Sequence, residues 1–103
     1  MTRRVAVVTG AAAGFGKAIA LRLAQDDVDI VIMDINADGA NAVAVEIRET
    51  GVSAEIAIGS VADPDDVRRV FGFVEERFGG TDILVNNAGV SGNGPTLEVS
   101  DAE

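Results

Sequence analysis

The sequence predicts an α/β fold, a parallel sheet doubly wound by helices on its two faces. Three observations predict it. Apolar runs of strand length alternate with stretches of helical period; a glycine-rich turn joins the first run to the first helical stretch; and an aspartate closes the second run.

Strand one covers Arg4–Val8, with Val5-Ala6-Val7-Val8 as its apolar body. Helix one covers Phe15–Gln25, where Phe15, Ala18, Ile19 and Leu23 can share a face. Strand two is Asp29–Met33, followed by a helix over Asp38–Thr50 that buries Ala40, Val43, Ala44 and Ile47 and stops at Gly51. Strand three is Ala54–Ile58. Asp63-Pro64 then opens a third helix, with an acid as N-cap and a proline at the first helical position, where its missing N–H costs nothing. Val67, Val70, Phe71, Val74 and Phe78 recur at helical spacing until Gly79-Gly80. Strand four, Ile83-Leu84-Val85, runs into Asn86-Asn87-Ala88-Gly89 and a glycine-rich loop through Gly94-Pro95. Right-handed crossovers between such units give the strand order 3-2-1-4.

Ser100-Asp101-Ala102-Glu103 has the form of a capping box, a serine N-cap with a glutamate three positions on, and announces a further helix. Strand four would then carry an unpaired edge, a liability that invites self-association. On this reading residues 1–103 are the front part of a single longer domain.

Bulk properties exclude several functions. A hydrophobic fraction of 48% against 24% charged residues describes a folded chain. The net charge of −9 argues against nucleic acid or an anionic membrane as partner. With no cysteine and no histidine, thiolate and imidazole metal ligands are absent, and the scattered acids read as solvated faces. Arg3-Arg4 before an apolar run has the look of an export signal, but Gly10, Gly14, Gly16 and Lys17 interrupt it. The expected location is the cytoplasm.

The chemistry lies in Thr9-Gly10-Ala11-Ala12-Ala13-Gly14-Phe15-Gly16, with Asp34 eighteen positions beyond Gly16. Gly10 lets the chain turn off the strand, Gly14 leaves no Cβ between backbone and ligand, and Gly16 lets the helix lie close on the sheet. Amides at the helix start, with the positive end of its dipole, suit a pyrophosphate. A carboxylate at Asp34 accepts hydrogen bonds from ribose hydroxyls. Together these describe a site for the adenosine half of a dinucleotide.

Thr9-Gly10-x-x-x-Gly14-x-Gly16 and Asp82-Ile83-Leu84-Val85-Asn86-Asn87-Ala88-Gly89 resemble the short-chain dehydrogenase/reductase family over the whole chain, which matches the first two-fifths of a member. The resemblance implies a Rossmann-type sheet, cut before the catalytic half. It implies that the turn, through Gly10, Ala12, Ala13, Gly14, Phe15 and Gly16, binds the pyrophosphate. Asp34 would take the adenosine ribose, with Ile35 beside it. Ser60-Val61 stands where the family usually has Asp-Val against the adenine, so this contact is expected to be weaker. Asn86, Asn87, Ala88 and Gly89 would line the cofactor groove, with Asn87 the expected contact and Asn86 the expected tie between strands, and with contact and scaffold weighing equally for the motif.

The implied cofactor is NAD rather than NADP. The 2′-phosphate of NADP would meet Asp34, and two anions repel. Ala13 and Ile35 also occupy positions where NADP-preferring members place a base. The implied reaction is hydride transfer on an alcohol or ketone. The family's tyrosine, lysine, serine and helix asparagine would lie beyond Glu103; the chain has no tyrosine, and Lys17, its only lysine, sits by the turn. No catalytic residue and no metal ligand is therefore assigned within the chain, and the intact enzyme is expected to be a homo-oligomer. The alternative is a nucleotide-binding module without chemistry. A methyltransferase, which also holds a ribose with an acid after strand two, is disfavoured by the Thr-Gly opening and the Asn-Asn-Ala-Gly segment.

Overall fold

Five strands form one sheet in the order β3-β2-β1-β4-β5. The elements are β1 (Val5–Thr9), α1 (Gly14–Gln25), β2 (Asp29–Asp34), α2 (Ala37–Arg48), β3 (Ala54–Ile58), α3 (Pro64–Phe78), β4 (Ile83–Asn86) and β5 (Thr96–Val99). The computed structural model describes residues 3–87 and 96–99. The first four strands are parallel and follow the expected order 3-2-1-4.

The strands sort their side chains by alternation. Ala6, Val8, Ile30, Ile32, Ile83 and Val85 face a core completed by α1 and α2. Val5, Val7, Val31 and Met33 face a smaller core completed by Val70 and Val74 of α3. With both faces covered, β1 is buried along its whole length, which is why it reads as an unbroken apolar run. Helix α2 buries the stripe Ala40, Val43, Ala44 and Ile47, and α3 starts at Pro64 behind the Asp63 cap, both as the periodicity predicts.

Two features differ from expectation. Helix α1 buries Gly16, Ala20 and Ala24, while Phe15 is 69% exposed and Ala18 is exposed. The reason is distance: a helix that starts hard against the β1 turn can present only small residues to the sheet, and Ile19, Leu21 and Leu23 pack at the margins of that stripe. The second difference is at β4. Its outer edge is not open, because Thr96–Val99 returns antiparallel beside it, pairing Ile83 with Val99 and Asn86 with Thr96. An antiparallel return needs only a loop, where a parallel neighbour needs a crossover. The self-association expected from an open β4 edge loses its ground. The capping-box residues Ser100–Glu103 lie outside the described residues.

Candidate cofactor site

The site is built where the carboxyl ends of β1, β2 and β3 meet the starts of the following helices, next to the point at which strand order reverses between β1 and β4. After β1 the backbone turns through Gly10 (φ +66°) and enters α1 through Gly14 (φ +61°), both in the left-handed region. The Gly10 amide still donates to the Met33 carbonyl at 2.9 Å, so the turn begins from a fully paired sheet.

Helix α1 begins differently from the other two. Asn36 caps α2 by accepting from the Gly39 amide, and Asp63 caps α3 by accepting from the Asp65 amide. Ala13 at the N-cap of α1 has only a methyl group, with no acceptor to offer, and the first turn carries no acid. The first amides of α1 therefore keep their donors and the positive end of the dipole for an anion.

Behind the turn, three residues meet at very short range. A Cβ on Gly16 would stand 2.2 Å from the Gly10 oxygen and 2.8 Å from Asn87 Nδ2. That space is filled instead by a clasp between β1 and β4. The Asn87 side chain donates to the Gly10 carbonyl at 3.3 Å, and its backbone amide donates to Thr9 Oγ1 at 2.9 Å. The Thr9 hydroxyl, itself buried, lies 3.3 Å from the Val85 oxygen and 3.4 Å from Asn86 Oδ1. The tie between strands, expected of Asn86, is made by Asn87, the residue expected to touch the cofactor. Asn86 is exposed at the mouth of the site. Ala88 and Gly89 lie outside the described residues.

Asp34 ends β2 with its carboxylate already oriented. Oδ2 accepts from the Ala12 amide at 3.0 Å, and Oδ1 accepts from the Asn36 amide at 2.9 Å. A carboxylate oxygen has two acceptor directions, so each keeps one for a further donor, as a pair of vicinal hydroxyls requires. Beside Asp34 opens a cleft of about 250 Å³ between the ends of β2 and β3, floored by Gly10 and Met33 and flanked by Ile35 and Val61. Ile35 is 74% exposed, an apolar side chain held in solvent at the lip of a cleft. Among the described residues, no basic residue lines it. Lys17, which follows the turn, pairs instead with Glu46 of α2 at 3.2 Å. A smaller hollow of about 160 Å³ shares Met33 and Val61 and extends toward Phe71 and Asn86.

Ser60 lies in this cleft, but its hydroxyl accepts from the Ala62 amide at 3.1 Å and so folds back on its own loop. The Ser60 amide donates to Asp66 Oδ2 at 2.9 Å, and Arg69 bridges Asp66 Oδ1 (3.3 Å) to the Ile58 carbonyl (2.7 Å). The Ser60 amide first, and then Arg69, hold the Asp66 carboxyl below its usual value. Sequence reasoning missed this brace because it took the acids as solvated. The available signal was the acid–arginine spacing of three in the first turns of α3, which places the pair on one helix face. Among the described residues no group of three or more acids could hold a metal ion, and no helix is long and apolar enough to cross a membrane.

The family model described as short chain dehydrogenase matches residues 4–103. The chain belongs to the short-chain dehydrogenase family. Within it, the chain is 39% identical to a cyclohexanol dehydrogenase of Acinetobacter sp. (strain SE19), over 86% of this chain and 36% of that protein. Among solved structures, an L-sorbose reductase from Gluconobacter frateurii, complexed with NADPH and L-sorbose, superposes with a TM-score of 0.83 at 37% identity, covering 98% of this chain and 39% of that one. An NAD+-bound xylitol dehydrogenase gives a TM-score of 0.83 at 35% identity, covering 86% and 34%. The chain thus spans little more than a third of the length of these relatives. Its sheet is a Rossmann-type sheet of this family, and the neighbours' cofactors are dinucleotides of both kinds.

Proposed function

We propose that this chain forms the adenosine- and pyrophosphate-binding part of an NAD-dependent oxidoreductase acting on an alcohol or ketone. The carrying observation is Asp34, a carboxylate fixed by two backbone amides at the mouth of an apolar cleft with one acceptor direction left on each oxygen. That geometry suits the two hydroxyls of an unmodified ribose and repels a 2′-phosphate, with no base in the cleft lining to neutralise it.

In this reading the uncapped start of α1 receives the pyrophosphate, while Gly10 and Gly14 keep side chains away from it. Ile35 and Val61 sandwich the adenine, and the Asp66–Arg69 brace holds the Ser60 loop in place beneath it. Asn87 fixes the Gly10 carbonyl so that the turn keeps its shape on binding. The nicotinamide, when bound, supplies hydride exchange with the substrate. The tyrosine that the family resemblance makes the proton-transferring group has no counterpart in this chain, which contains no tyrosine. The same absence is the one observation in favour of a second reading, a nucleotide-binding module with no reaction of its own.

Titration of the protein with NAD and NADP, followed calorimetrically, tests the proposal. Expected is tighter binding of NAD, and a loss of at least about tenfold in NAD affinity for Asp34→Ala, the worth of one or two charge-assisted hydrogen bonds. Tighter binding of NADP overturns it. Dinucleotide binding with no alcohol- or ketone-dependent change in nicotinamide absorbance in the intact protein selects the module.

A further inference from the structure

Gly39 stands in the first turn of α2 without any backbone need for glycine. Its φ is not in the left-handed region, and glycine in a helix is disfavoured relative to alanine. The explanation is space. A Cβ on Gly39 would lie 3.0 Å from the Ala12 Cβ, 2.8 Å from Asn36 Nδ2 and 3.2 Å from Asn36 Cγ. Ala12 and Asn36 are also the two residues whose backbone amides hold the Asp34 carboxylate, one on each oxygen. Asn36 is further tied to this spot because its Oδ1 accepts from the Gly39 amide, and its carbonyl accepts from Ala40.

We propose that Gly39 is a specificity-positioning residue: its missing Cβ lets the start of α2 close against the glycine turn, so that Ala12 and Asn36 together hold Asp34 in the orientation that favours a 2′-hydroxyl over a 2′-phosphate. A methyl group at this position must push Ala12 outward or displace the Asn36 cap. Turning the Asn36 side chain aside leaves its backbone amide in place, whereas movement of Ala12 lengthens the bond from its amide to Asp34 Oδ2 and lets the carboxylate swing away from the sugar. The residue itself touches no cofactor; it acts through the other three. The inference rests on the NAD-selective reading given above.

The test is Gly39→Ala in the intact protein, with dissociation constants for NAD and NADP and a thermal melt for each variant. The expected result is a preference for NAD reduced roughly tenfold, equivalent to ~1.4 kcal/mol, with a cooperative melt retained because alanine improves helix propensity. Adding Ala12→Gly removes the methyl that the new Cβ meets at 3.0 Å and is expected to restore part of the lost preference. A purely structural role would move the melt and leave the ratio alone. An unchanged ratio in Gly39→Ala therefore overturns the proposal, as does loss of the fold in both variants. If the unsubstituted protein prefers NAD and Gly39→Ala keeps that preference, only this inference fails. If the unsubstituted protein binds neither dinucleotide, the proposed function fails with it.

Discussion

Gly16 carries the tightest constraint in the site, with the Gly10 carbonyl 2.2 Å from where its Cβ would be. The obstacle is backbone, held from the other side by Asn87, so no side-chain rotation relieves it. Gly16→Ala is expected to destabilise the fold by about 3 kcal/mol, at the upper end for overpacking, and to weaken dinucleotide binding by distorting the turn. Urea unfolding and NAD titration of the variant check both effects. Asp66 shows a different dependence, on pH. Its carboxyl is held below the ordinary value of 3.8 by the Ser60 amide and Arg69. A lowered folded value means that the unfolded chain takes up this proton first. The stabilisation is thus fully present above 3.8 and is lost as pH falls through the depressed folded value. Asp66→Asn is expected to flatten that part of the acid limb of stability and to lower slightly the plateau above it, measured by denaturation from pH 7 downward.

Strand β3 is the free outer strand of the sheet, and the register explains how it is guarded. Ser53 accepts from Ile30 and Gly59 donates to Asp34, so the alternate residues Ala54, Ile56 and Ile58 turn their backbone groups outward. Arg48 of α2 donates through Nε and Nη2 to the Ala54 carbonyl at 3.2 and 2.8 Å, and Arg69 of α3 donates to the Ile58 carbonyl. Two arginines thus occupy acceptors at both ends of an edge that would otherwise template strand addition. Arg48→Leu is expected to cost about 1 kcal/mol and to raise concentration-dependent association, read by sedimentation across a dilution series. Neither contact was readable from the sequence, since both depend on which backbone groups the register turns outward. The stripes of α2 and α3 were readable because burial there follows helical period directly. The stripe of α1 was misread because a close approach at Gly16 overrides hydrophobicity: the small residues go in and Phe15 stays out. The edge beside β4 was misread because Thr96–Val99, only four residues long and carrying Glu98, was not taken as a strand although the Gly94-Pro95 loop precedes it.

The site draws on three successive βα units at once, and this is why only part of it could be read in advance. The Gly10–Gly16 turn and Asp34 lie at the ends of apolar runs, so spacing along the chain locates them. What holds them crosses the chain: Asn87 to Gly10 and Asp34 to Ala12. Such ties have no local signature. They make the site part of the sheet's own stability, because the clasps that shape the cleft also join β1 to β4, β2 to the α1 turn and β3 to α3. A ligand bridging the start of α1, Asp34 and the Val61 loop must then stabilise all three units together, in proportion to its affinity for the folded state alone. At one hundred times its dissociation constant this amounts to about 2.7 kcal/mol, and for a domain of about one hundred residues to a rise in melting midpoint of about 10–20 °C. NAD is expected to produce a rise of this size as one cooperative transition, with NADP at equal concentration producing a smaller one. Asp34→Ala should abolish the difference between the two cofactors. A rise that is equal for both in the unsubstituted protein, or confined to one of two separate transitions, contradicts a single site spanning the sheet.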